Sequence, residues 1–316
     1  VICVGLGTDM GGHTGVNPLS TMLNGMALRR DHAVVISAGN EGNSRHHFLG
    51  EIGADEYYKN VEINVGDRVE GFYAEVWARA PQRFVVDIIS PTGERMPSDY
   101  ILSGGREYSF LFENTKVAVD YRIAGILDGS QVIYISFSKP TQGIWNIRVY
   151  QQSEISSTFH IWLPLEEFLT GEVFFVRSNP DTTLTVPASA AAPMTVGAYD
   201  EKDNSIYLRS GRGFTANGLI KPDFVAPGVE VYGAAPGGMF VTRSGTSAAT
   251  AVTSGGVALM LEWGIVRGNY STITGIAIKN SLIQSADRDP QRNYPDKAYG
   301  WGRLNVYQTF EDFRIQ

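Results

Sequence analysis

Two widely separated segments carry the side chains best suited to chemistry. In one, Ser244-Gly245-Thr246-Ser247 runs into a stretch rich in small residues, Ala248, Ala249, Ala251, Ser254, Gly255, Gly256 and Ala258. A serine at the start of a helix lies beside unpaired backbone N–H groups and the positive end of the helix dipole, where a developing oxyanion is stabilised. In the other, Ser37-Ala38-Gly39-Asn40-Glu41-Gly42 follows an apolar run and presents a carboxamide, a hydrogen-bond donor, just past a strand. Attack on an amide carbonyl requires a nucleophile, a base and donors aimed at the oxygen that gains charge. Ser247 has the chemistry of the first and Asn40 that of the third. Taken singly, Ser247 could be a helix N-cap and Asn40 a turn residue that tolerates left-handed backbone. Their occurrence together favours the chemical assignment.

These residues need a frame to meet. Residues 1–48 have the pattern of a strand, a glycine-rich loop, a helix and a strand. Pro18 can open the helix, and Leu19, Met22, Leu23, Met26 and Ala27 fall at helical spacing on one face. The run Ala33-Val34-Val35-Ile36-Ser37-Ala38 has the character of a buried parallel strand, with Asn40 at its C-terminal end, where open α/β sheets place their functional loops. Residues 49–176 change character. Strand-like runs at 61–65, 72–78, 84–89, 132–137, 144–150 and 158–163, separated by turn signals such as Pro91-Thr92-Gly93, predict a two-sheet sandwich of the jelly-roll kind. Val61, Ile63 and Val65 alternate with Glu62 and Asn64, one face in and one out. Residues 177–316 return to α/β texture, with a strand near 194–198 and helices near 247–263 and 273–285. The small residues after Ser247 predict a central, buried helix.

Composition narrows the classes. The chain has 316 residues, 43% hydrophobic and 19% charged, which suits a globular protein with a real core. A formal charge of -7 without blocks of like charge gives no nucleic-acid or anionic-lipid surface, and no run approaches eighteen uninterrupted apolar residues. The single cysteine, Cys3, cannot form an internal disulfide and is expected to be a small core residue. The chain opens on a core-strand pattern without Met, so a signal peptide, pro-segment or earlier domain is expected to precede it.

With these motifs in hand, the chain resembles the subtilisin-like serine proteases, the subtilases. Residues 1–7 are similar to the family strand that pairs with substrate, residues 38–42 to its oxyanion-hole motif and Gly245-Thr246-Ser247 to its nucleophile motif. Lys221-Pro222-Asp223-Phe224-Val225-Ala226-Pro227-Gly228 and Tyr299-Gly300-Trp301-Gly302-Arg303-Leu304-Asn305 resemble two further family stretches, in the family order. Within the family, Gly12-His13-Thr14-Gly15 followed by Pro18-Leu19, the continuation Gly42-Asn43-Ser44-Arg45-His46-His47 and the inserted sandwich resemble clostridial spore germination proteases. The resemblance implies an α/β fold with a subtilisin-like parallel sheet, lacking its N-terminal part and interrupted by an all-β jelly roll. Residues 1–48 and 177–316 would form the catalytic domain and 49–176 the insert. It also implies a serine endopeptidase of bacterial origin in an extracellular or spore-associated setting, acting through an acyl-enzyme on Ser247 with Asn40 in the oxyanion hole. Substrate backbone would pair with Gly5, Leu6 and Gly7.

Departures from the family pattern qualify this expectation. Ala248, Ala249, Thr250, Ala251 and Val252 follow the nucleophile where subtilases usually have Met-Ala-Ala/Ser-Pro-His. The family's catalytic Asp and His precede the strand at Val1 and are therefore expected upstream, so the 316 residues alone are expected to be inactive. The histidines His13, His32, His46, His47 and His160 suit surface or structural roles, and His13, in its glycine-rich loop, is kept only as a specificity contact. No cofactor is expected; no group of His, Cys, Asp or Glu has metal-ligand spacing, and scattered carboxylates specify no calcium site. The expected partners are a protein or peptide substrate and the missing N-terminal part or pro-segment, with no nucleic acid and no membrane span. The competing class is a catalytically inactive pseudoprotease that binds or signals through its cleft or sandwich. A carbohydrate or adhesion module on an inert platform is a third.

Overall fold

The computed structural model describes residues 1–98, 104–124, 129–152 and 155–315. They form two compact units, one of residues 1–8, 13–43 and 181–316, the other of residues 9–12 and 44–180. The first unit begins with strand β1 (Ile2–Val4), helix α1 (Pro18–Ala27) and strand β2 (Val34–Ser37). Pro18 stands in the first turn of α1, and the Asn17 side chain caps the helix by accepting from Ser20 N–H at 2.9 Å. The buried line of α1 is Ser20, Leu23 and Ala27, packed on Val34, Ile36 and Ala38. Two residues of the expected apolar face, Leu19 and Met22, flank that line and stay exposed at 41% and 51%.

The second unit contains strands β3 (His47–Ile52), β4 (Tyr58–Val65), β5 (Gly71–Ala78), β6 (Phe84–Ile89), β7 (Arg95–Met96), β8 (Gly104–Ser109), β9 (Lys116–Ile123), β10 (Gln131–Ser138), β11 (Gly143–Gln151), β12 (Ser157–Trp162) and β13 (Val173–Phe175). Among the described residues they build two sheets, ordered β3-β12-β5-β10-β9-β8 and β13-β4-β11-β6-β7, antiparallel throughout. Alternation decides which side of each strand is buried. Val61, Ile63 and Val65 enter the core while Glu62 is exposed, and Phe72, Ala74 and Val76 do the same from the other sheet. Both sheets thus share one apolar core, in which Trp145 is fully buried edge-on to Phe110 and Phe137. Full burial of a side chain of this kind contributes roughly 1.5–3 kcal/mol. Residues 44–48 and 177–180 belong to this unit because β3 pairs with β12, Phe175 N–H donates to Arg45 O and Asn179 N–H to His47 O.

The chain then returns to the first unit with β14 (Met194–Tyr199), β15 (Phe224–Pro227), the hairpin β16 (Val231–Ala235) and β17 (Met239–Arg243), and helices α2 (Thr246–Leu261), α3 (Gly275–Gln284) and α4 (Val306–Ile315). β14 inserts between β2 and β15 to give a wholly parallel sheet, β1-β2-β14-β15. All six residues of β14 are buried, as a strand covered on both faces requires.

Helix α2 packs across this sheet, but only half of it is buried. Ala249, Thr250, Thr253, Gly256, Val257 and Met260 face inward, while Ala251, Gly255, Ala258 and Leu259 are exposed. The small residues do serve close packing on the inward side: a Cβ on Gly256 would lie 2.8 Å from Val306. With its π-helical continuation, Thr246–Val266 is long and apolar enough on average to cross a bilayer. Its inward face lies on β14, β2 and β15, as in a core helix. The expectation of a buried thiol is corrected, since Cys3 is exposed. It points outward between half-buried Ile2 and Val4, on a strand that is the edge of its sheet.

Candidate active site

Asn40 follows β2, and the loop that holds it is stitched at several points. Gly39 has φ of 95°, and a Cβ there would meet Thr185 Cγ2 at 2.4 Å, so only glycine fits. Its carbonyl accepts from Gly211 N–H at 2.8 Å, and Gly42 N–H donates to Arg209 O at 3.0 Å. Gly39 N–H in turn donates to Thr246 Oγ1 at 3.2 Å, the first tie between this loop and helix α2.

Thr246, fully buried at the first position of α2, completes the tie. Its N–H donates to Asn40 Oδ1 at 3.0 Å and its hydroxyl donates to the same oxygen at 3.1 Å. A backbone N–H can only donate, so the carboxamide atom facing it must be oxygen. The Asn40 NH2 group is thereby turned away from Thr246, and among the described residues it makes no hydrogen bond. Gly245 stands at the N-cap with φ of 144°, held by its N–H to Gly228 O at 2.7 Å. A Cβ on Gly245 would lie 3.4 Å from the Asn40 carboxamide.

Ser247 follows directly, exposed in the first turn of α2. Among the described residues its N–H has no acceptor, whereas Ala248 and Ala249 N–H both bond Gly245 O. Its hydroxyl donates to Gly5 O at 2.8 Å. At this positive helix end Ser247 keeps an unspent N–H, and the Asn40 carboxamide, tied to the preceding Thr246, keeps an unspent NH2.

Gly5, Leu6 and Gly7 continue β1 along the open sheet edge. Gly5 and Leu6 are exposed, Leu6 at 69%. The two glycines differ in their surroundings. A Cβ on Gly5 would make ordinary contact with Ser247 Cβ at 3.4 Å, whereas one on Gly7 would stand 2.3 Å from Thr185 Oγ1. The chain therefore runs beside the serine at Gly5 and is pressed against Thr185 at Gly7, before Thr8 bridges to Val186.

The structure brings Ser247, Asn40 and Gly5 together, with Leu6 and Gly7 following on the same segment. It does not bring a base: among the described residues Ser247 Oγ has neither an imidazole nor a carboxylate partner. His13 is 2% exposed, with Nδ1 donating to Leu184 O at 2.8 Å, so burial removes it as a specificity contact. Thr246 and Thr185 were not singled out in the sequence. A threonine between the N-cap glycine and the serine was the available signal for Thr246; Thr185 carries none, since its importance lies in the two glycines that pack on it.

Comparison with known proteins gives a consistent picture. Residues 116–302 match the model of the Subtilase family. The solved structure of the CspB protease of Clostridium perfringens superposes with a TM-score of 0.89 at 30% identity, covering 98% of this chain and 66% of that one. Serine protease AprX of Bacillus subtilis is 33% identical over 151 residues, 41% of this chain and 32% of the relative. An uncharacterised protein of Aquifex aeolicus is 32% identical over 146 residues, covering 41% of this chain and 63% of its own length. The matched portion is thus at most 66% of the length of any of these three relatives.

Proposed function

The chain belongs to the subtilase family, whose model matches more than half of it, and from this premise we propose that it is the C-terminal part of the catalytic domain of a serine endopeptidase. The observation that supports the reading is the double hydrogen bond from Thr246 to Asn40 Oδ1, which turns the amide donor away from Thr246, the residue before the serine. In the reaction, Ser247 Oγ attacks the scissile carbonyl and gives its proton to a histidine. The bond to the leaving amine then breaks as that histidine returns the proton to it, and water hydrolyses the acyl-enzyme by the reverse sequence. Asn40 Nδ2 and Ser247 N–H hold the carbonyl oxygen as it becomes an anion. The histidine, and the aspartate that orients it, come from residues of the complete protein that precede Val1. The 316 residues are inactive without them, and the hydroxyl rests on Gly5 O instead.

Extended substrate adds to the open edge at Gly5, Leu6 and Gly7, a β-augmentation that relies on main-chain hydrogen bonds more than on side-chain identity. The name of the Clostridium perfringens relative, a protease, supports the same class of reaction for this chain.

Labelling with a fluorophosphonate tests the proposal. The complete protein is expected to label at Ser247, and the Ser247→Ala variant is not. If the complete, folded protein fails to label, the alternative holds, in which the fold is kept as a binding or signalling pseudoprotease.

A further inference from the structure

A cleft of about 790 Å³ opens within the first unit, walled mainly by residues 203–206 and 288–303. Four arginines line it, Arg212, Arg288, Arg292 and Arg303. Arg212 is neutralised by Asp181 at 2.9 Å. Among the described residues the other three have no carboxylate within hydrogen-bond distance. Arg292 comes no closer than 3.9 Å to Asp296, Arg288 donates to the carbonyls of Gln284 and Ile283, and Arg303 stands 5.9 Å from the Tyr199 ring.

The aspartates of the cleft are already engaged by main-chain donors. Asp203 accepts from Ser205 N–H at 2.9 Å, Asp289 from Gln291 N–H at 2.9 Å, and Asp296 from Ala298 and Tyr299 N–H, each at 2.8 Å. Arg292 is further fixed by stacking, with Cζ 3.9 Å from the centroid of the Tyr299 ring, and its Nε is buried without an acceptor. Nε itself is closed to solvent, but the Arg292 side chain is 35% exposed, and a guanidinium held in place by stacking offers its accessible Nη edge to an incoming oxyanion.

We propose that this cleft is a binding site for a small polyanion carrying at least two carboxylate or phosphate groups. One such group would occupy the Arg292 fork and a second would reach Arg303, since Arg288 already donates to the Gln284 and Ile283 carbonyls. The volume lies in the range of small-molecule sites and exceeds what a single oxyanion fills. The site is independent of the peptidase reading, since none of its residues touches Ser247 or Asn40.

Isothermal titration of the complete protein at fixed ionic strength, with citrate in one arm and pyrophosphate in the other, tests this. Saturable binding of at least one probe is expected, weakened at least about tenfold in Arg303→Gln, as loss of a charge-assisted hydrogen bond entails, and only partly restored in Arg303→Lys, which keeps the charge but not the fork. The arm that binds identifies carboxylate or phosphate as the recognised group. No saturable heat from either probe would overturn the proposal, and so would equal affinity in wild type and Arg303→Gln. Should the variants not fold, the wild-type titrations alone decide.

Discussion

Thr246 and Asn40 are joined twice, N–H to Oδ1 at 3.0 Å and hydroxyl to Oδ1 at 3.1 Å, although 206 residues separate them in the chain. The same hydroxyl accepts from Gly39 N–H at 3.2 Å, so one threonine ties the loop after β2 to the start of α2 and sets the direction of the Asn40 amide.

Removing the amide should affect chemistry more than binding. For the complete protein, the proposed function predicts that Asn40→Ala lowers kcat by about 100- to 1,000-fold, the range for loss of one oxyanion donor, with little change in KM. Steady-state kinetics on a peptide substrate decide the matter; a near-normal kcat would remove Asn40 from that role.

Thr246 should act through Asn40. Thr246→Val deletes the hydroxyl that bridges Gly39 and Asn40 in a fully buried position, leaving Gly39 N–H unsatisfied. A loss of about 1–3 kcal/mol in unfolding free energy is expected, together with a reduced kcat. Thr246→Ser keeps the hydroxyl and is expected to recover kcat even where some stability is lost. Equal kcat in the Val and Ser variants would show that the hydroxyl does not position the amide.

Gly5 and Gly7 should separate activity from folding. A methyl at Gly5 makes ordinary contact with Ser247, so Gly5→Ala is expected to fold with near wild-type Tm but to cleave poorly, because the methyl occupies the serine's side of the crevice. A methyl at Gly7 meets Thr185 Oγ1 at 2.3 Å and Val186 O at 3.0 Å, and Gly7→Ala is expected to lower Tm. Thermal melts and peptidase assays on both variants are the check, and the reverse ordering of Tm would contradict the geometry.

Lys221 gives the first unit a pH-dependent term. It is 2% exposed, with Nζ 2.6 Å from Asp223 Oδ2 and 2.7 Å from Pro193 O. Burial pulls its pKa down to about 8 despite the opposing attraction of Asp223, and the nearby Lys279 lowers it further. The unfolded chain therefore holds this proton up to the ordinary value near 10.5 while the folded chain releases it near 8. Stability from this group is flat below about pH 8 and rises with pH between the two values. Urea unfolding of wild type and Lys221→Met from pH 7 to 9.5 should show wild type gaining on the variant above pH 8. A constant difference would mean that the folded-state pKa is not depressed.

Much of this architecture was legible in the chain itself. Alternation at Val61, Ile63 and Val65 specifies a strand with one buried face whatever surrounds it, because side chains point to opposite sides of a sheet with period two. The breakers Pro18 and Gly39 and the long apolar run at 33–38 marked α1 and β2 in the same local way. The order of the motifs around Asn40 and Ser247 indicated the subtilase family, whose model the chain matches. Strands β3, β7, β8, β9 and β13 of the second unit and β15, β16 and β17 of the first lay beyond the strands expected from sequence. In β9, Val117, Val119 and Tyr121 alternate as clearly as the residues of β4 do.

Tertiary structure decided the rest. Local patterns specify the type of an element but not which neighbour covers each side, so Cys3, Leu19 and the outer side of α2 proved exposed while His13 proved buried. Likewise the roles of Thr246 and Thr185 rest on hydrogen bonds and contacts between distant segments, and the cleft of Arg288, Arg292 and Arg303 is walled by residues 203–206 from far earlier in the chain. Such contacts are set by how the chain returns on itself, and no short-range period records them.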